Sequence, residues 1–144
     1  LIELVVVVAV LAVLSAVAIP QFTNISSKAR AAAASNTVAT IAKECAAKIA
    51  DQGPGSSSQF VPPISMQGYK DSAGGWYTGG TSLTAKGTKA SGTTKINCPT
   101  SDNIGLVSED TSEYPDFFYN VGTGEKTCTA SGDAIKRGCA NSAW

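Results

Sequence analysis

The sequence predicts an α+β fold: a long kinked N-terminal α-helix packed on a small antiparallel β-sheet of about four strands, with a C-terminal disulfide-bounded loop. Three observations point to it. All 14 glycines of the 144-residue chain lie at or after Gly53, while the first 52 residues hold 14 alanines and a single proline. The composition therefore changes at one point from helix-forming to rich in Gly, Ser, Thr and aromatics, which suits short strands and turns. The four cysteines, Cys45, Cys98, Cys128 and Cys139, all follow an apolar N-terminal run and include no CxxC pair. A chain of this length divides into one anchor and one domain.

Residues 1–22 form the apolar part of the helix. From Leu1 to Ile19 only Glu3 and Ser15 are clearly polar. A helix of that length reaches about 28 Å, close to the hydrocarbon thickness of a bilayer. The run lacks the basic start and the small-residue cleavage site of a secretory signal, so it is expected to be kept in the working protein. An ionised carboxylate in such a segment costs on the order of a few kcal/mol, and Glu3 is therefore the first functional candidate. The competing reading is an ordinary anchor whose acid reaches the lipid headgroups.

Residues 23–52 form the amphipathic half. Pro20 interrupts the helical pattern, which then resumes, and this predicts a kink in place of a stop. Val38, Ile41, Cys45 and Ile49 recur at spacings of three and four, with Lys28, Arg30, Asn36, Lys43 and Lys48 elsewhere. One apolar stripe results, able to lie on a sheet. The helix is expected to end near Asp51, before Gln52, Gly53, Pro54 and Gly55.

Residues 53–144 are read as a β domain that opens with a connecting loop, 53–80, pinned by Phe60, Ile64, Tyr69, Trp76 and Tyr77. Ser56 to Ser58 read as flexible spacing. Strand candidates follow as TTKINC, NIGLVS, PDFFYNV and EKTCTAS, the last two joined across Gly122, Thr123 and Gly124 as a hairpin. Four cysteines allow three pairings. Cys128 with Cys139 and Cys45 with Cys98 is favoured, because the first closes a short loop, 128–139, at the C-terminus; the other two pairings stay open. Disulfides place the domain in an oxidising compartment, outside the cytoplasm. Trp144 is read as a packing anchor.

Net charge is zero, and the part after Gln52 carries seven Lys or Arg against eight Asp or Glu. No global field draws in nucleic acid or an anionic membrane. Lys86, Lys89 and Lys95 in SLTAKGTKASGTTK form a local basic stretch, read as a solvated loop in preference to an anion site. The chain has no histidine, so no Ser-His or Cys-His dyad is available, and no nucleotide-binding glycine pattern joins a strand to a helix. No enzymatic activity, cofactor or metal is expected. In EDTSEYPD, Glu109, Asp110, Glu113 and Asp116 read as a solvated acidic loop, with calcium as the minor alternative. Asn24-Ile25-Ser26 has the form of a glycosylation acceptor but falls in the helix.

With catalysis set aside, the pattern suits self-association. An apolar helix can leave lipid for a bundle of its own kind at little net transfer cost. The stretch LIELVVVVAVLAVLSAVAIPQF resembles the N-terminal signature of type IV pilins, in the acid near its start and in the proline that follows. That resemblance covers the first 22 residues in sequence and the rest of the chain in layout. It implies a precursor held in the inner membrane, processed and N-methylated by a prepilin peptidase. An inner-membrane assembly machinery then draws the subunit into a helical homo-oligomeric filament, an extracellular pilus. Glu3 then serves subunit assembly, neutralising the N-terminal amine of a neighbouring subunit in a low-dielectric core. Ser15, Ala18 and Pro20 mark the stretch where the helix kinks or melts in the filament. Members of the family start with a methylated phenylalanine and one further residue before Leu-Ile-Glu, so those residues and a leader are expected ahead of Leu1. The implied function is a structural pilus subunit for adhesion, twitching motility or DNA uptake. The alternatives are a pseudopilin of type II secretion, where the resemblance implies calcium in place of the Cys128–Cys139 loop, and a membrane-anchored binding module using aromatics such as Trp76 and Tyr77.

Overall fold

The computed structural model describes residues 1–70, 74–80, 87–90 and 95–144, with the backbone alone over 20–23. One helix, α1, runs from Ile2 to Gln52 without interruption at Pro20. Its 51 residues correspond to about 77 Å at the usual rise. The helix ends where the glycines begin: Gly53 takes φ 81°, a conformation that β-carbons disfavour. Its N–H donates to the Ile49 carbonyl at 2.9 Å, which closes the last turn.

Among the described residues seven strands follow: β1 (Gln59–Phe60), β2 (Gly75–Gly80), β3 (Gly87–Lys89), β4 (Ile96–Asn97), β5 (Asn103–Val107), β6 (Asp116–Asn120) and β7 (Lys126–Thr129). They make a five-stranded antiparallel sheet in the order β3-β2-β5-β6-β7 and a separate two-stranded pair, β1-β4. The register aligns Trp76, Leu106, Phe117 and Cys128 in one row across β2, β5, β6 and β7. Ile104 and Tyr119 pair in the next row on the same face, because side chains two apart point the same way. This face packs on Ala31, Ala34, Val38, Ile41, Ala42 and Cys45 of α1 to form one core. Helix and sheet touch through β5 and β6, near the middle of the sheet. On the opposite face Gly105 lies under the Phe118 ring, where an added β-carbon would come within 2.5 Å of it.

The α+β class, the long helix, the β6-β7 hairpin and the disulfide-bounded tail agree with the sequence reading. The sheet differs from it in three places. Among the described residues the main sheet has five strands where about four were expected. The segment read as a connecting loop over 53–80 contributes β2, a strand that hydrogen-bonds to both β3 and β5. Glycines at 75, 79 and 80 hid it; Gly79 and Gly80 sit at a register shift between Thr78 and Gly80, where a bulge tolerates residues that ordinary strands avoid. Thr93 and Thr94 of TTKINC lie outside the described residues, and its Ile96–Asn97 pairs with Gln59–Phe60 and not with the main sheet. The basic stretch read as a solvated loop supplies the edge strand Gly87–Lys89, while Lys86 lies outside the described residues.

Two disulfides close the structure. Cys45–Cys98, 53 apart in sequence, ties α1 to the chain after β4. Cys128–Cys139, 11 apart, holds the tail against β7. The 3₁₀ turn Gly132–Lys136 lies inside that loop, stitched to the acidic segment by Ser131 N–H to the Thr111 carbonyl at 2.9 Å and Ala134 N–H to the Ser112 carbonyl at 3.1 Å. Trp144 completes the tail: its indole N–H donates to the Thr127 carbonyl at 2.7 Å and its ring meets Phe117 edge-on at 5.3 Å.

Candidate functional site

The most apolar part of the chain is also the least covered. Its 18-residue apolar window has a mean hydropathy of 2.9, and none of it is buried. Large side chains from Leu1 to Ile19 are exposed by 51% or more. An apolar surface of this extent is uncommon on a soluble monomer and marks a site meant for lipid or for protein. By length and composition α1 can cross a membrane or act as an export signal. The helical form suits such surroundings, since every backbone group inside a helix is bonded within the segment.

The polar side chains on the helix reinforce this. Ser15 Oγ donates to the Leu11 carbonyl at 2.7 Å. Further along, Thr37 donates to the Ala33 carbonyl at 2.7 Å and Thr40 to the Asn36 carbonyl at 2.8 Å. Each hydroxyl is satisfied by its own helix. Such faces can be buried against apolar neighbours without stranding a donor, which would cost about 1–3 kcal/mol.

Glu3 is the exception. It stands in the first turn of α1, exposed, where the unpaired N–H groups of the helix start favour a negative charge. Among the described residues the ion pair found is Lys48–Glu44 at 2.9 Å, far along the helix. Glu3 thus brings one carboxylate to an otherwise apolar surface. Ala18 is exposed in the same helix. Pro20 keeps helical backbone, and having no N–H it leaves the Ala16 carbonyl without its usual i+4 donor; its ring lies outside the described side chains.

The other sequence candidates separate in space. Trp76 is a core residue, 2% exposed, with its indole N–H on the Pro63 carbonyl at 2.8 Å and Phe60 edge-on at 6.5 Å. It is therefore not a surface contact for a binding module. Asp116 is buried and accepts from the Ser108 N–H at 2.7 Å and the Ser108 hydroxyl at 3.0 Å. Asp110 is exposed and accepts from the Ser112 hydroxyl at 2.6 Å and its N–H at 2.9 Å. These two bonds, the hydroxyl first, hold the Asp110 carboxyl below the usual range. Among the described residues no three carboxylates or cysteines converge as a metal site would need. Tyr69 is buried beside them, its hydroxyl donating to the Pro115 carbonyl at 2.6 Å. Burial, then the Asp116 charge and Tyr114, raise its phenol well above the usual range.

Sequence reasoning missed Ala31, Ala34 and Ala42, which line the helix–sheet contact with no exposure above 1%. Ala31 and Ala34 continue the stripe of Val38 and Cys45 toward the N-terminus, and Ala42 falls within it. The signal was present but weak, because alanine occurs on both faces of a helix. No protein family, characterised protein or solved structure matches this chain.

Proposed function

We propose that this chain is a structural subunit that leaves the inner membrane and polymerises with copies of itself into a type IV pilus on the bacterial surface. The observation that carries the reading is the uncovered apolar half of α1 with Glu3 in its first turn, continuous with a half that is fastened to a β domain by packing and by Cys45–Cys98. Such a subunit can exchange lipid for neighbouring helices at little transfer cost, while its β domain stays in water. Glu3 supplies register: buried among helices, a carboxylate must meet a cation, and the N-terminal amine of a neighbour is the cation that a parallel, staggered bundle brings to it. Pro20 weakens the helix just below the domain, where the filament is proposed to kink or melt over Ser15 to Pro20. The Cys128–Cys139 loop supports the pilus over the type II secretion pseudopilin. Adhesion, twitching motility and DNA uptake are the roles such a filament serves.

The test is electron microscopy of material sheared from cells producing the full precursor, native against Glu3→Ala. Thin filaments containing the native chain, lost or much reduced in the variant, are expected. Equal filaments in both would remove Glu3 from assembly. Protein confined to membranes, with no filaments in either sample, would replace the pilus by an anchored module or a pseudopilin.

A further inference from the structure

A cavity of about 150 Å³ lies between α1 and the tail, lined by Asn24, Lys28, Asp133, Lys136 and Arg137. Three cations face one acid there, in a chain whose net charge is zero. The position is as informative as the charge. Ser27 is the first helix residue in the described sequence to be buried, so Asn24 and Lys28 mark the rim where the β domain begins to cover α1.

Counting along the helix, Asn24 stands about 7 Å and Lys28 about 13 Å past Ile19, the last residue of the apolar run. The headgroup layer adds roughly 5–8 Å to each side of the hydrocarbon. Helical side chains lean toward the N-terminus, and a lysine stem reaches back to the interface while its ammonium stays polar. The Asn24 amide and the Lys28 ammonium thus reach headgroup depth on one wall of the cavity. Lys136 and Arg137 supply the other wall.

The arginine is held in place. Its guanidinium donates to the Glu113 carbonyl and lies 5.7 Å from the centre of the Tyr114 ring. Tyr114 is in turn fastened to α1, its hydroxyl accepting from Arg30 at 3.2 Å. The Cys128–Cys139 bond closes the loop that carries Lys136 and Arg137, so this wall is set before any ligand arrives.

We propose that this cavity docks the phosphate of an anionic phospholipid headgroup while the subunit resides in the membrane. The proposal rests on residues 1–19 lying in a bilayer and is independent of filament formation. A phosphodiester offers acceptor oxygens and a single negative charge, which suits a guanidinium, two ammonium groups and the Asn24 amide. Anionic headgroups attract juxtamembrane cations additively, with each one near the surface strengthening association about fivefold.

The full chain in neutral detergent micelles is titrated with short-chain phosphatidylglycerol, following backbone amide signals of residues 132–137 by NMR. Saturable shifts are expected with phosphatidylglycerol and absent with phosphatidylcholine of equal chain length. Lys28→Gln with Lys136→Gln, which leaves the Arg137 contacts intact, should weaken the response roughly thirtyfold, with unchanged signals from β5 and β6 showing a native fold. Equal shifts with phosphatidylcholine would overturn the proposal. So would equal shifts with inorganic phosphate at the same concentration, which would make this a general oxyanion site. Unchanged lipid affinity in the double variant, with loss of filaments in cells, would assign the cations to a contact between subunits.

Discussion

The two halves of α1 share one backbone and follow opposite rules. Over 24–52 the helix is rich in alanine and only mildly apolar, yet Ala31, Ala34, Val38, Ile41, Ala42 and Cys45 are buried against the sheet. Over 1–19 nearly every side chain is apolar and none is covered. Hydrophobicity says that a surface must leave water, while periodicity says where its partner lies. The second half has a stripe, so one partner on one side suffices, and the chain supplies it as β5 and β6. The first half is apolar all round and needs partners all round, which lipid or a bundle of copies can provide and a single small domain cannot.

That contrast can be broken by experiment, and the largest effect should come from the covalent link that belongs to one half alone. Replacing Cys45 and Cys98 by alanine should cost about 4 kcal/mol in denaturant unfolding of the detergent-solubilised chain, against about 3 kcal/mol for the Cys128 and Cys139 pair. The order follows from separations of 53 and 11 residues, and a reversed order would mean that strain or residual structure outweighs loop entropy. Truncation of a buried methyl pair comes next. Val38→Ala should destabilise the domain by about 2 kcal/mol, while Val13→Ala on the uncovered half should stay within about 0.5 kcal/mol. Equal losses would show that the apolar half is folded against its own domain.

Overpacking sharpens the same point from the far side of the sheet. Gly105→Ala drives a methyl group into the Phe118 ring, 2.5 Å away, and should cost about 1–3 kcal/mol. Thermal melting reads it directly. The smallest effect is set by pH. Burial beside Asp116 raises the Tyr69 phenol above its ordinary value of 10.0, so the folded state holds this proton more tightly than the unfolded chain does. The stabilisation is complete below pH 10.0 and is lost as pH climbs beyond it. Tyr69→Phe should flatten the alkaline limb of a stability profile, and an unchanged limb would transfer that dependence to other groups.

Much of this architecture was legible in the residues. Val38, Ile41 and Cys45 announced the buried stripe because large apolar side chains at helical spacing have few other uses, and Ile49 joins them at the edge of the core. PDFFYNV and EKTCTAS announced a hairpin because alternation and a Gly-rich turn agree there. GWYTGG was opaque: half its residues are glycine, and the strand is created by neighbours on both sides, not by its own preference. Trp76 was equally ambiguous, since an aromatic in a Gly-rich segment suits a binding surface or a core until its indole N–H finds the Pro63 carbonyl. In the candidate site, Glu3 stood out as the one charge in an apolar run. Lys28, Lys136 and Arg137 did not, because over a hundred residues separate the first from the others.

Local composition and periodicity therefore determined where the helix runs, where it stops, which half is uncovered and where the one charge on that half lies. These are properties of neighbouring residues, expressed through propensity, spacing and the cost of placing a charge among apolar side chains. Only the tertiary structure decided that β2 lies between β3 and β5, that Ile96–Asn97 pairs outside the main sheet, and that the tail folds back beside Asn24 and Lys28. Those outcomes depend on pairings between distant segments, whose free energy is shared by both partners and is written in neither one alone.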